Sequence, residues 1–486
     1  MKTKLRPFFV MLILLAGFHP IATKATTIFP IATNLSLLEF SCGIAFGGTN
    51  YLVAMEVGAN VVGQRVSTNG TLQDSQISVG SNPGFPPNIA LAFGQTNYLL
   101  AWSDNSVSSG VDMFGQFISR NGAKIGSKFN LLSTQGSHGF QYVWALASDG
   151  TNFLAVWQDN NDGSFYGQLV TPAGTLSGSA FLISSQLQNG NGAAVTFGKT
   201  NYLVVWQSNN GSMGNVNQAF GEFVSKNGSP GSLFQIGQTS SEDQNPLAVA
   251  FDGTNYLAVW SWDPPPETGG SVTNWDLYGR QVSQTGAFPG SELQLVTDPG
   301  SQSFPSLAFD GSNYLLAYSD MHWNSNGSFN KTNYNIRFQF FNRSGSAFGS
   351  EFTNFPSQKT NAPILTLNGL LFDGSRFVMA ATLGTIATDA GGNITGFPSS
   401  EVYGSFIPKS TPPTPPPQLT SLIYTNGQFS LMLTGTASTN YVIQVSTNLA
   451  VNNWLSVVTN TATGGTFSFT DTHATNQNRF YRAMQK

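Results

Sequence analysis

The chain has little cysteine, histidine or charge. Of its 486 residues one is cysteine (Cys42), four are histidine and 9% are Asp, Glu, Lys or Arg. A single thiol excludes an intrachain disulfide, so the fold must be stable without cross-links. His19, His138, His322 and His473 stand far apart in the sequence, which leaves no clustered zinc ligands and no visible nucleophile triad. Lys and Arg number 20 against 24 Asp and Glu, so the basic face that nucleic acid demands is also missing. No long stretch repeats its apolar residues at helical spacing, which removes amphipathic helices from the expected fold.

Glycine and aromatics are abundant instead: 52 Gly and 13% Phe, Trp and Tyr, the composition of short strands joined by tight turns. The first residues set Lys2, Lys4 and Arg6 ahead of the apolar run 8–18 and small residues at Ala22 and Ala25. That is the pattern of a secretory signal peptide, with an apolar part too short to span a bilayer. Residues 1–25 are therefore expected to be removed and the chain to be secreted or held at the cell surface, with no transmembrane segment left. The leader carries four cations (Lys2, Lys4, Arg6, Lys24) and no acid, so its loss takes the formal charge from −4 to −8. Cys42 does not follow the leader directly, as a lipid-anchored cysteine would, and is expected as a buried thiol.

A run of the form Phe-Asp-Gly-Thr-Asn-Tyr-Leu-Ala-Val-Trp returns seven times, at 46–55, 93–102, 148–157, 197–206, 251–260, 309–318 and 372–381. Self-similarity at a period of about 50 residues means units that bury their apolar faces on one another. Within each unit Asp-Gly or its equivalent separates two apolar runs, a hairpin signal. A second tight turn recurs around Gly70, Gly122, Gly174, Gly228, Gly286 and Gly345. The strand after the first turn, such as 202–206, is apolar on both faces and so belongs between stacked sheets. Third strands carry glycine at 63, 115, 167, 221, 279 and 404. A cross-strand aromatic is expected to cover each one, with Trp102, Trp157, Trp206 and Trp260 as the candidates and as core residues.

Six repeats are followed by a fourth strand-like segment, whereas the seventh runs from Ile407 straight into proline. Residues 27–32 resemble the missing segment. They are expected to pair with 402–407 and so join the last unit to the first, abolishing a free edge. With Gly-Thr-Asn-Tyr-Leu-Ala-Val-Trp, Tyr-Gly-Arg-Gln-Val-Ser and a Gly-centred turn, the repeats resemble those of secreted bacterial seven-bladed β-propellers of unassigned function. The resemblance implies an all-β fold in which 26–408 form a seven-bladed propeller of four-stranded blades. Residues 409–417 read as a proline-rich spacer. Residues 418–486, with Trp454, Phe469-Thr470-Asp471 and the ending Arg479-Phe480-Tyr481-Arg482-Ala483, resemble a small fibronectin type III-like β-sandwich that terminates many secreted proteins.

The two tight turns of each repeat fall on one edge, and the opposite edge carries connections of variable length, where binding usually resides. Trp262, Trp275, His322 and Trp323 are expected in those long loops beside Asp263 and Asp320. An aromatic ring with nearby acceptors is what a carbohydrate site needs. Gln158-x-Asn160-x-Asp162-Gly163 echoes a calcium loop, with Asp159 and Asp162 as candidate ligands, but Gln stands where its first acid belongs and the twelfth position lacks Glu. Asp159 is expected instead to organise its own loop. The expected function is non-enzymatic recognition of an extracellular carbohydrate or protein, without cofactor or nucleic acid. The rival is a glycan-active hydrolase or lyase built from two converging loop carboxylates.

Overall fold

The computed structural model describes residues 27–33, 39–81, 88–105, 112–132, 141–185, 192–208, 216–238, 244–262, 275–323, 329–353, 364–388, 394–409, 417–435, 437–448, 453–474 and 479–485. The leader 1–25 lies outside these residues, as does the side chain of Cys42. The chain divides into two compact units, within Thr23–Ser410 and Thr411–Lys486. Among the described residues there is no α-helix, only strands and one short 3-10 turn.

In the first unit seven four-stranded antiparallel sheets follow one another, at 39–81, 89–130, 141–184, 193–235, 244–296, 301–353 and 364–408. The seventh takes its fourth strand from Thr27–Ala32, which pairs with Ile394–Pro408 in the register Thr27↔Phe406 to Ala32↔Val402. This is the closure expected from the sequence. Pro30 sits on the outermost strand, where a missing N–H costs no ladder bond.

Each sheet is packed face to face on the next. One apolar cluster joins the first and second sheets through Leu52, Tyr98 and Trp102. Another joins the seventh to the first through Phe406, Val402, Tyr51 and Met55. First strands of consecutive sheets touch one another all the way around, the last against the first. They are the inner strands, and fourth strands such as Lys124–Asn130 are the exposed rim. This arrangement is a β-propeller. The second strands, shielded on both faces, are the core, and Asn50–Val57 is buried at every position. Trp102, Trp206 and Trp260 are wholly buried and Trp157 nearly so.

The glycine cover differs from the sequence expectation. Gly115 lies opposite Phe129 of the fourth strand, and a Cβ on Gly115 would come within 2.7 Å of that ring. In the seventh sheet Gly404 lies opposite Phe29 of the N-terminal strand, whose ring occupies the space of its missing Cβ. The tryptophans project into the packing between sheets, so at these two glycines the cover comes from the rim side, where a ring gains more by lying across a bare backbone than by facing water.

In the second unit six strands form two three-stranded sheets, Gln418–Thr425, Gln428–Thr434 and Thr466–Asp471 in one and Leu455–Thr461, Asn440–Ser446 and Phe480–Gln485 in the other. Phe429, Leu431 and Leu433 from the first and Tyr441, Ile443 and Val445 from the second meet in a single core.

Candidate ligand-binding edge

The repeated motif belongs to the edge of uniform turns, and its residues are consumed by the scaffold. Asp252 Oδ1 accepts the N–H groups of Thr254 and Asn255, each at 2.7 Å, and Asp310 does the same for Ser312 and Asn313. The following glycine takes φ 91° at Gly253 and 93° at Gly311, a conformation that only glycine adopts without cost. The motif tyrosine then ties its sheet to the one before. Tyr98 donates to the Asn50 carbonyl at 2.8 Å, Tyr256 to that of Asn201 at 2.7 Å and Tyr51 to Asp373 at 2.5 Å. Cations cap the motif phenylalanines, Arg120 over Phe93 at 5.1 Å and Arg343 over Phe309 at 5.0 Å.

At the opposite edge four inner strands carry a polar residue at their first or second position, Glu39, Gln141, Gln244 or Gln302, each at most 3% exposed. Sequence reasoning missed this set, although the recurrence of an amide or acid at that place in the repeat is its signal. The amides knit the edge together. Gln244 Oε1 accepts from Ala219 N of the fourth sheet at 2.8 Å, and its Nε2 donates to Gln238 O at 2.8 Å. Gln302 Nε2 donates to Asp320 Oδ1 at 3.1 Å.

The candidate residues gather at the fifth and sixth sheets. Trp262 ends the strand Asn255–Trp262, half-buried, with its ring edge-on to Tyr278 at 4.8 Å. Its register partner across the sheet is Asp276. Trp275 immediately precedes the strand Asp276–Ser283, and its backbone is held by the sixth sheet: its carbonyl accepts from Gln302 N at 2.6 Å and its N–H donates to Ser301 Oγ at 3.4 Å. Trp262 packs with the core shared by the fourth and fifth sheets, whereas the Trp275 backbone is bonded to the sixth. Asp320, 2% exposed, pairs with Arg337 at 2.5 Å, and Arg337 reaches Glu351 at 2.5 Å on its other side.

The expected loop placement is corrected for four residues. Trp262, Asp320, His322 and Trp323 are strand residues rather than loop residues. The strand Asn313–Trp323 runs past Asp320 and pairs with Phe329–Asn342 as far as Trp323↔Phe329, because the β-pairing continues beyond the point where the repeat pattern stops. Asp263 lies outside the described residues, as do the side chains of His322 and Trp323.

The calcium candidates are occupied by their own loop. Asp159 Oδ1 accepts from Asn161 N at 2.9 Å and Asn161 Nδ2 at 2.7 Å, and Asp162 accepts from Ser164 N at 2.8 Å and the Tyr166 hydroxyl at 3.3 Å. Among the described residues no three His, Cys, Asp or Glu side chains are grouped to hold a metal ion. Two carboxyls here are shifted: burial alone pushes Glu56 up to about 7, and burial, helped by the charge of Asp298, does the same to Glu351, since removing a carboxylate from water favours its neutral form.

No protein-family model matches the sequence, and no curated protein matches it. Similar solved structures include the subtype N11 neuraminidase-like protein of A/flat-faced bat/Peru/033/2010, at 9% identity over 67% of this chain and 88% of that one, with a TM-score of 0.40. The β-propeller domain of Cps50 (Swd1) from Myceliophteria thermophila shares 10% identity over 78% of this chain and all of that one, TM-score 0.42. An α-L-arabinofuranosidase from Fusarium graminearum shares 13% identity over 66% and 94%, TM-score 0.42. Likeness at this level gives no ground for transferring an activity.

Proposed function

We propose that the protein is an exported, non-enzymatic binding protein that holds an extracellular glycan or protein at the loop edge of a seven-bladed propeller. In this reading residues 1–25 are cleaved, the seven four-stranded sheets are the blades, 409–417 is a spacer and 418–486 is a small fibronectin type III-like sandwich. One observation carries it. Half-buried indoles at Trp262 and Trp275 stand at the edge where Asp320 is already committed to Arg337 and Gln302. A flat apolar ring beside fixed acceptors suits a sugar, whereas a carboxylate locked to a guanidinium is a poor proton donor or acceptor. The test is a glycan array probed with the mature chain and with Trp275→Ala. The proposal expects a glycan that the variant binds at least about tenfold more weakly with an unchanged melting temperature. Equal binding by the variant contradicts it.

The rival hydrolase or lyase, built from two converging loop carboxylates, would also need a carboxyl held neutral as a general acid, and burial pushes both Glu56 and Glu351 up to about 7. Glycan cleavage by the wild type that Glu56→Gln abolishes would establish that reading instead.

A further inference from the structure

The second unit presents an ordered row of polar side chains on one sheet face. The sheet of Leu455–Thr461, Asn440–Ser446 and Phe480–Gln485 turns Tyr441, Ile443, Val445, Tyr481 and Ala483 into the core, so the alternate residues of its strands face outward. There Ser456, Gln444 and Arg482 stand in register across the three strands. They form one hydrogen-bonded row: Arg482 Nε donates to Gln444 Oε1 at 2.7 Å, and Gln444 Nε2 donates to Ser456 Oγ at 3.2 Å. The guanidinium lies 4.3 Å from the ring centroid of Trp454. Stacking and the Gln444 bond together fix its orientation.

A guanidinium so fixed normally meets a carboxylate, and here none is at hand. Asp471 is the only acidic residue in 418–486. It is 6% exposed and engaged by Arg479 at 2.6 Å, the Tyr481 hydroxyl at 2.9 Å and the backbone N–H of His473 at 2.9 Å. We infer that this outward sheet face binds an anionic polysaccharide, with the Arg482 fork taking a sugar carboxylate and Trp454, Gln444 and Ser456 bordering the ring that carries it. Arginine presents its N–H groups in a planar fork matched to a carboxylate. The charge balance agrees: 418–486 hold Arg479, Arg482 and Lys486 against one acid, in a chain that is acidic elsewhere. An anionic membrane is the poorer fit, because juxtamembrane recognition uses clusters of about 4–8 cations and this face offers one.

The test uses the full mature chain in affinity electrophoresis through gels containing polygalacturonate or dextran, with phosphatidylglycerol vesicles in a parallel sedimentation assay. The expected result is retardation by polygalacturonate, weakening as salt rises, and none by dextran. Arg482→Gln should lower the affinity about tenfold or more and Arg482→Lys by less, because lysine keeps the charge and loses the fork. Retardation that a folded Arg482→Gln leaves unchanged would come from the propeller, which separates the two sites. Should Arg482→Gln fail to fold, Arg482→Lys and Met484→Glu, which sets an acid on the same face, decide the matter. Absence of retardation, retardation unchanged in the folded variants, or binding to the vesicles alone would overturn the inference.

Discussion

At the scale of the residue, the clearest deviation is Glu222. In the first, second, third and sixth sheets the equivalent third-strand position holds glutamine. Gln64 Nε2 donates to the carbonyls of Arg65 and Gln73 at 3.0 and 3.1 Å, and Gln116 to those of Phe117 and Ile125 at 3.0 and 3.1 Å. In the fourth sheet the rim strand shortens to Phe234–Gln235, and Gly231 N donates to Phe223 O at 2.8 Å, the carbonyl that glutamine serves elsewhere. Glu222 is left 4% exposed, and burial lifts its carboxyl to about 7. The unfolded chain ionises from about pH 4.5, so stability falls as pH rises from there to about 7 and is level beyond. Glu222→Gln should therefore stabilise the protein by about 1–3 kcal/mol at pH 8, with the gain shrinking towards pH 4.5, as urea unfolding at both pH values would show. Tyr98→Phe removes a hydroxyl that serves both the carbonyl and the side chain of buried Asn50. Its expected cost is about 1–2 kcal/mol, read from the same unfolding curves, since the seventh repeat already accepts phenylalanine there at Phe377.

At the scale of the element, the N-terminal strand has the most to do per residue. It supplies the rim strand of the seventh sheet, the Phe29 ring against Gly404 and the buried Ile31. Phe29→Ala should cost about 3–5 kcal/mol in chemical denaturation. Deleting 27–32 should expose Ile394–Pro408 as an open apolar edge and bring on aggregation, visible by light scattering on warming. This element was legible in the sequence because the seventh repeat lacks a fourth segment and 27–32 resemble one. The partners of the third-strand glycines were not. Periodicity shows that a glycine needs cover, but neighbours on both sides of its strand are aromatic, and only register distinguishes Phe129 from Trp102.

At the scale of the whole molecule, burial runs from the second strands outward to the rim. Amide exchange should follow it, slowest in stretches such as Asn50–Val57 and Asn201–Ser208 and fastest in rim strands such as Lys124–Asn130. Mass-spectrometric exchange would test this, and equal protection of rim and second strands would refute the layering. The loop edge was only partly legible. Trp262, Trp275 and Asp320 could be picked out because they interrupt the repeat, whereas the row of Glu39, Gln141, Gln244 and Gln302 lies at the start of strands that look ordinary one at a time.

The sequence by itself determined the repeating four-strand unit, the two glycine turns and the exchange of a strand between the ends, because each follows from local chemistry or from one repeat compared with the next. Tertiary structure alone decided which side chains meet. It packed Trp262 against the core of the fourth and fifth sheets, joined Asp320 to Arg337 and Glu351, and drew Arg482 over Trp454 with no carboxylate beside it. Those outcomes depend on register and on the faces of neighbouring strands, and residues far apart in the chain come together only when the sheets stack.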